Sequence, residues 1–319
     1  MTPGTASCAR TRSASDIRRR AARALAGAAV ALALPWSAAT AGPLRHCDPP
    51  AELDAARQDL LLRFAAEVRA TLEASGATLA LVARAGLDLS RFGIRYSHAG
   101  ISLRASPNTP WSVRQLYDDC DERRPRLFDE GLAGFLVGAG ERPIGFFSAV
   151  LVPGAEASLE RAARDDRLAL RLLGGTYSAN AYPFSVRYQN CNQWVAELLA
   201  VAWGGLVPHD ELRSQAQRWL READYQPARF EVGNPFLMWL AVALPWLRVG
   251  DHPAADLEAG RFRVSMPQSI EAFARARVPG ARRIEFCLTD RRIVVREGWI
   301  PISDACEPGP GDRVIALDG

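Results

Sequence analysis

The sequence predicts an α+β fold. Three observations support it. Apolar residues Leu53, Leu60, Leu61, Phe64, Val68 and Leu72 recur at helical spacing within 51–75. Short β-type runs punctuated by Gly, Pro and Asn follow between 78 and 117. The composition, 48 % hydrophobic and 24 % charged, is that of a soluble globular protein and excludes collagen-like, disordered and coiled-coil chains.

The elements follow in chain order. Asp48 and two prolines lead into the helix over 51–75, and Gly76 stops it. Thr78 to Val82 reads as a short strand and Gly86 to Ser90 as a turn. Ile94 to Leu103 reads as a strand carrying His98. Ser106-Pro107-Asn108-Thr109-Pro110 is a turn, with a return strand from Trp111 to Tyr117. Arg126 to Val137 reads as a short helix and Phe146 to Val152 as a buried strand. An amphipathic helix over Glu156–Leu173 is closed by Gly174-Gly175, and a further helix covers Asn192–Ala202. A polar helix near 210–221, the apolar segment 236–247, a helix near 268–276 and strands near 283–288 and 292–300 complete the chain. Val314 to Leu317 could add an edge strand. There is no internal repeat.

The N-terminus reads as a targeting segment. Arg18-Arg19-Arg20 precede a mostly Ala, Leu and Val run from Ala21 to Leu34. Pro35 breaks the run, and Ala39-Thr40-Ala41 fits small-residue cleavage. The run is short for a membrane span of about 20 residues. The expectation is a signal peptide over 1–41 and a periplasmic or secreted mature protein. The formal charge of +3 is then misleading, because removing 1–41 leaves 33 basic and 35 acidic residues. A nearly neutral chain gives no support to nucleic-acid binding. No lysine is present, which excludes Schiff-base and Ser–Lys chemistry. The mature chain keeps Cys47, Cys120, Cys191, Cys287 and Cys306. In an oxidising compartment two disulfides leave one thiol. Cys47–Cys120 and Cys287–Cys306 are plausible pairs, with Cys191 the spare.

Two segments carry chemistry. In Tyr188-Gln189-Asn190-Cys191-Asn192-Gln193-Trp194, Asn190 is a helix N-cap and Cys191 opens the first turn. Positions 191, 195, 198, 199 and 202 share the face turned toward the protein. Unpaired N–H groups and the positive end of the helix dipole favour thiolate there and could hold an oxyanion. In Arg95-Tyr96-Ser97-His98-Ala99-Gly100-Ile101, His98 shares a strand face with Gly100, which leaves room beside the imidazole. A thiol nucleophile needs such an imidazole to take its proton and return it to the leaving group. His46, His209 and His252 fall in loops or a loose terminus. Tyr96 and Tyr188 are candidate hydroxyl donors near an oxyanion. No CxxC, HxxxH, calcium-loop, P-loop or Rossmann pattern is present, so neither a metal nor a cofactor is expected.

Together these segments resemble the circularly permuted branch of the NlpC-type papain-like thiol hydrolases, which includes the lecithin retinol acyltransferase-like proteins. The chain order, His98 before Cys191, is that of the branch, and the similarity covers about 77–205. More closely, the chain resembles a family of uncharacterised exported bacterial proteins, a domain of unknown function. Asp88-Leu89-Ser90-Arg91-Phe92-Gly93, Asp129-Glu130-Gly131-Leu132 and Val264-Ser265-Met266-Pro267-Gln268-Ser269-Ile270-Glu271 carry that resemblance over most of the mature chain. The hydrolase resemblance implies a permuted papain-like core, in which a small antiparallel sheet packs on the Cys helix. It also implies a third polar residue on the next strand that orients the histidine. The turn near Pro107–Asn108 places Gln115 or Tyr117 across from His98. Gln115 is chosen, because it can accept from an imidazole N–H; Asn108 lies in the turn itself.

The expected organisation is a signal peptide over 1–41, a papain-like core with its N-terminal helix over 42–205, and an α+β extension over 206–319 packed on that core. The expected function is a thiol hydrolase or acyltransferase acting on an amide, peptide or acyl-ester bond. Cys191 would be the nucleophile, His98 the general base and then acid, and Gln115 the orienter. Cell-wall peptides or acyl lipids are candidate substrates, and 236–247 is a candidate for shallow membrane contact. The alternative is a non-catalytic envelope binding or scaffold protein on the same fold.

Overall fold

The N-terminal helix α1 (Ala55–Ala74) begins where the Asp54 side chain accepts from the Arg57 N–H at 2.7 Å. It buries Leu61, Phe64, Ala65, Val68 and Leu72, the apolar stripe legible in the sequence. The structure is a computed structural model and describes residues 53–119, 122, 124–137, 145–233, 244 and 246–317. The leader, Cys47, Cys120 and, of the segment 236–247, residues 236–243 and 245 lie outside the described residues.

The strands are β1 (Leu79–Arg84), β2 (His98–Leu103), β3 (Ser112–Asp119), β4 (Arg124–Glu130), β5 (Gly145–Leu151), β6 (Ala228–Glu231), β7 (Arg261–Val264), β8 (Arg282–Leu288), β9 (Arg292–Glu297) and β10 (Arg313–Ala316). The helices after α1 are α2 (Leu132–Val137), α3 (Glu156–Arg164), α4 (Asp166–Arg171), α5 (Cys191–Gly204), α6 (Leu212–Glu222), α7 (Ala254–Glu258) and α8 (Pro267–Arg277). Eight strands form one antiparallel sheet in the order β10-β9-β8-β5-β1-β2-β3-β4. β6 and β7 form a separate two-stranded antiparallel sheet. The fold is therefore α+β, as expected, around a sheet larger than a small papain-like one.

The sheet is covered on both sides. Leu79, Leu81, Ala99, Ile101 and Val150 point to one face and pack on Leu159 of α3, Trp194, Val195 and Leu198 of α5, and Ile270 and Phe273 of α8. The alternate residues Ala80, Val82, Val113, Phe147 and Phe286 point to the other face, against α1, Leu132 and Phe135. Burial on both faces explains why β1 and β5 are buried at every position. The 206–319 segment supplies β8, β9 and β10 to this same sheet, and Cys287 on β8 is bonded to Cys306.

Several elements differ from the sequence reading. Residues 124–130 are a strand paired with β3 in full register, and only 132–137 are helical, so the helix expected over 126–137 is half strand. The helix expected over 156–173 is broken at Asp165, whose side chain leaves the helical path to accept from the N–H groups of Arg167 and Leu168. The strand expected from Ile94 begins at His98. The β6–β7 pair was not expected.

Candidate active site

Asn190 is the N-cap of α5, its side chain accepting from the Gln193 N–H at 2.7 Å. Cys191 is therefore the first helical residue. It is a free thiol, 5 % exposed. Every side chain from Cys191 to Val201 is buried, a wider contact than the single face expected. The helix is fixed from below by a fully buried carboxylate. Glu197 accepts from Gln189, Gln193, Gln217 and Arg213, with Arg213 Nε at 3.0 Å from Oε2. Gln189 and Gln193 of the Cys segment thus act as structural ligands of Glu197. They tie the entry loop to α5.

The β2–β3 ladder pairs only Ile101, Ser102 and Leu103 with Arg114, Val113 and Ser112. Toward His98 the two strands open. In an antiparallel ladder alternate amides face alternate neighbours. Arg104 N–H donates to Thr78 O on the β1 side, so Ala99 N–H faces β3. There it donates to the Cys191 sulfur. The N–H groups of Cys191 and Asn192 at the helix start, like that of Ala99, favour the charged form of the sulfur. The Asn192 side-chain amide donates to Ser97 O at 3.1 Å, clamping the same stretch of β2 to the helix start. Tyr177 adds a hydroxyl to the thiol.

His98 occupies the other side of β2. Its ring stacks on Tyr117 at 4.5 Å between centroids and lies 5.8 Å from the Phe135 ring. Nε2 is 2.8 Å from Gln115 Oε1, and the Gln115 amide donates onward to Glu130. That onward bond orients the amide oxygen toward the imidazole and makes Nε2 the protonated nitrogen. The structure thus brings His98 and Gln115 into direct contact. Cys191 packs with Ala99 and Ile101 on the α5 face of the sheet, and among the described residues no hydrogen bond joins its sulfur to His98 or Gln115. Gly100 does not leave open space beside the ring. A Cβ there would lie 2.4 Å from Val113 Cγ1 and 3.4 Å from Gln115 Cβ, so glycine lets β3 close onto β2.

Burial dominates the electrostatics. It pushes the Cys191 thiol up to about 11, although the Arg84 guanidinium and the three N–H groups pull the other way. The expected depression of the thiol by the helix N-terminus is therefore outweighed by desolvation. Burial also holds His98 well below its ordinary value. Arg84, paired across from it on β1, adds to that, and the Gln115 bond opposes it. The resting pair is neutral thiol and neutral imidazole. Tyr177 is raised well above its ordinary value, by burial first and then by the charge the thiolate would carry.

The other tyrosines have different roles. Tyr96 donates to buried Glu285, away from the thiol. Tyr188 lies under the Arg187 guanidinium, 5.3 Å from its ring centroid. Asn108 donates to Asp129 O in the turn. Sequence reasoning named Tyr117 across from His98, where it stacks on the ring, but missed Arg84 and Tyr177. Arg84 is paired with His98 across the β1–β2 ladder, a signal that the register alone would have exposed. Tyr177 lies in a loop without periodicity. Among the described residues no three His, Cys, Asp or Glu side chains gather as a metal would require. No described helix is long and apolar enough to cross a membrane.

The family model "Uncharacterized protein conserved in bacteria (DUF2145)" matches residues 71–274, more than half of the chain. The chain belongs to the DUF2145 family. No curated protein and no solved structure matches it. The DUF2145 match contains Arg84, His98, Gln115, Tyr117, Tyr177 and Cys191, while β8, β9 and β10 lie beyond it.

Proposed function

We propose that this DUF2145 protein is an exported thiol hydrolase or acyltransferase with a permuted papain-like site. The observation that supports it best is a free thiol at a capped helix start, its charged form favoured by three backbone N–H groups, with a His–Gln pair on the adjoining strands. In this reading the Cys191 sulfur attacks the carbonyl carbon of an amide, peptide or ester, and His98, whose ring must first swing through the β2–β3 opening to reach the sulfur, takes the thiol proton. The oxyanion is held by the N–H groups that line the β2–β3 opening. The C–N or C–O bond then breaks, and the leaving group departs with the proton from His98. Water or an amine attacks the thioester, and Cys191 is restored as a thiol. Gln115 keeps the proton on Nε2, which leaves Nδ1 as the base. Because thiol and imidazole rest neutral, proton transfer accompanies attack and no ion pair is formed in advance. Signal cleavage after Ala41 and a peptide, cell-wall or acyl-lipid substrate belong to the same proposal.

The test is acylation by a panel of p-nitrophenyl esters, followed by intact-mass and peptide mapping. The expected result is an acyl adduct on Cys191, absent in Cys191→Ala and formed at least about a hundredfold more slowly in His98→Ala. Absence of any adduct in the folded wild type would sink the enzyme reading. A second reading, a non-catalytic envelope binding or scaffold protein, is favoured by the depth of the thiol and by its raised pKa. That reading predicts no adduct without unfolding.

A further inference from the structure

A cleft of about 1160 Å³ lies beside α8, the loop ahead of β2 and the segment after β9. Its lining includes Tyr96, Phe146, Glu271, Arg283, Glu285 and Trp299, and it includes none of Cys191, His98 and Gln115. The volume lies somewhat above that of most sites that hold small organic ligands, about 300–1,000 Å³.

Hydrogen-bond accounting decides what the cleft can take. Its four acids are already engaged. Glu285 accepts from Arg95 at 2.8 Å, from Arg283 at 3.1 Å, from the Ile302 N–H at 2.6 Å and from the Tyr96 hydroxyl. Glu271 accepts from Arg283 Nε at 2.9 Å and from the Ser148 hydroxyl. Asp304 accepts from Arg95 at 2.6 Å, and Asp88 from the Ser90 N–H at 3.1 Å and hydroxyl at 2.7 Å. The donors are not all used. Arg283 is 4 % exposed, and its Nη1 has no partner among the described residues. A buried guanidinium nitrogen without an acceptor is costly, and a ligand acceptor would relieve that cost. Arg275, exposed on α8, holds its guanidinium 4.8 Å from the Trp299 ring centroid at the same cleft.

We propose that this cleft binds a monoanionic organic carboxylate with an apolar or aromatic body. The carboxylate is received by Arg283 and Arg275, and the body lies against Trp299 and Phe146. Three arginines face four acids in the lining, so the formal charge of −1 opposes any anion, and a dianion such as a phosphate monoester more than a carboxylate; the local arginine donors must supply the attraction. The proposal stands independently of thiol chemistry at Cys191.

The probes are N-acetylphenylalanine as the free acid, its primary amide, and phenyl phosphate, each titrated calorimetrically into the protein. The free acid is expected to bind, with the amide weaker by about tenfold or more, the loss of a charge-assisted pair. Phenyl phosphate should bind less tightly than the acid. Arg275→Gln should weaken the acid about tenfold, while Cys191→Ala leaves it unchanged. The proposal is overturned if the acid fails to bind at millimolar concentration or if acid and amide bind equally. It is likewise overturned if the phosphate binds more tightly, if Arg275→Gln has no effect, or if Cys191→Ala abolishes binding.

Discussion

At the scale of single residues, Cys191 is where two effects of known sign compete. Helix-end N–H groups and Arg84 favour the thiolate; burial favours the thiol. Burial wins, and the thiol titrates near 11. Alkylation by iodoacetamide should therefore rise with pH to a midpoint near 11, against about 8.5 for a free thiol. Arg84→Gln should move the midpoint higher, because the pull toward thiolate is removed. A wild-type midpoint at or below about 8.5 would show that solvent reaches the sulfur and that the balance is the reverse. The cap at Asn190 and the position of Cys191 were legible in sequence, because capping is local chemistry. The pKa was not, because burial depends on strands about 90 residues away.

At the scale of elements, the site depends on how β2 parts from β3. Their pairing stops after Ile101, and the freed Ala99 N–H turns to the thiol. Gly100 sits at that junction. An alanine methyl would meet Val113 Cγ1 at 2.4 Å and Arg114 O at 3.1 Å, and backbone cannot yield cheaply. Gly100→Ala should cost about 1–3 kcal/mol, read as a lower urea midpoint with unchanged m. Because β3 must shift, Gln115 moves from His98, and Cys191 alkylation should change with it. An unchanged midpoint would mean that β2 and β3 are not closed there.

The His98 strand, the turn and Gln115 were legible because a hairpin is local and its register follows from the turn. The strand over 124–130 was misread as part of a helix because its pairing partner, not its own pattern, makes it a strand. Its burial does not alternate cleanly, and Phe128 is 42 % exposed. The β6–β7 pair went unseen because its strands are four residues each, separated by about thirty residues of chain. Asp165 broke a helix that its neighbours' amphipathic pattern made continuous, since a capping bond competes with the helical path.

At the scale of the whole molecule, the sheet ties the candidate site to the rest of the chain. β1 lies between β2, which carries His98, and β5, which pairs with β8 beside the carboxylate cleft. The strands near 78–82 and 146–152 were legible as apolar runs, but neither the helices on both faces nor the strand order was, because β8 joins β5 across more than 130 residues. Protonation of His98 then acts on the entire fold. Its native pKa lies well below the ordinary 6.5, so below that pH the unfolded chain binds a proton the native chain refuses. Stability from this group is present above about 6.5 and is lost as pH falls, at a limiting slope of about 1.4 kcal/mol per pH unit. His252, also lowered by burial, contributes in the same direction. The comparison with His98→Gln isolates the His98 share. Urea unfolding between pH 5 and 7.5 should give a steeper loss on acidification in wild type than in the variant, whatever the variant's stability at pH 7.5. Equal slopes would mean that His98 titrates as an exposed imidazole does. The neutral His98–Gln115 pair, and general-base attack from it, would then have to be given up.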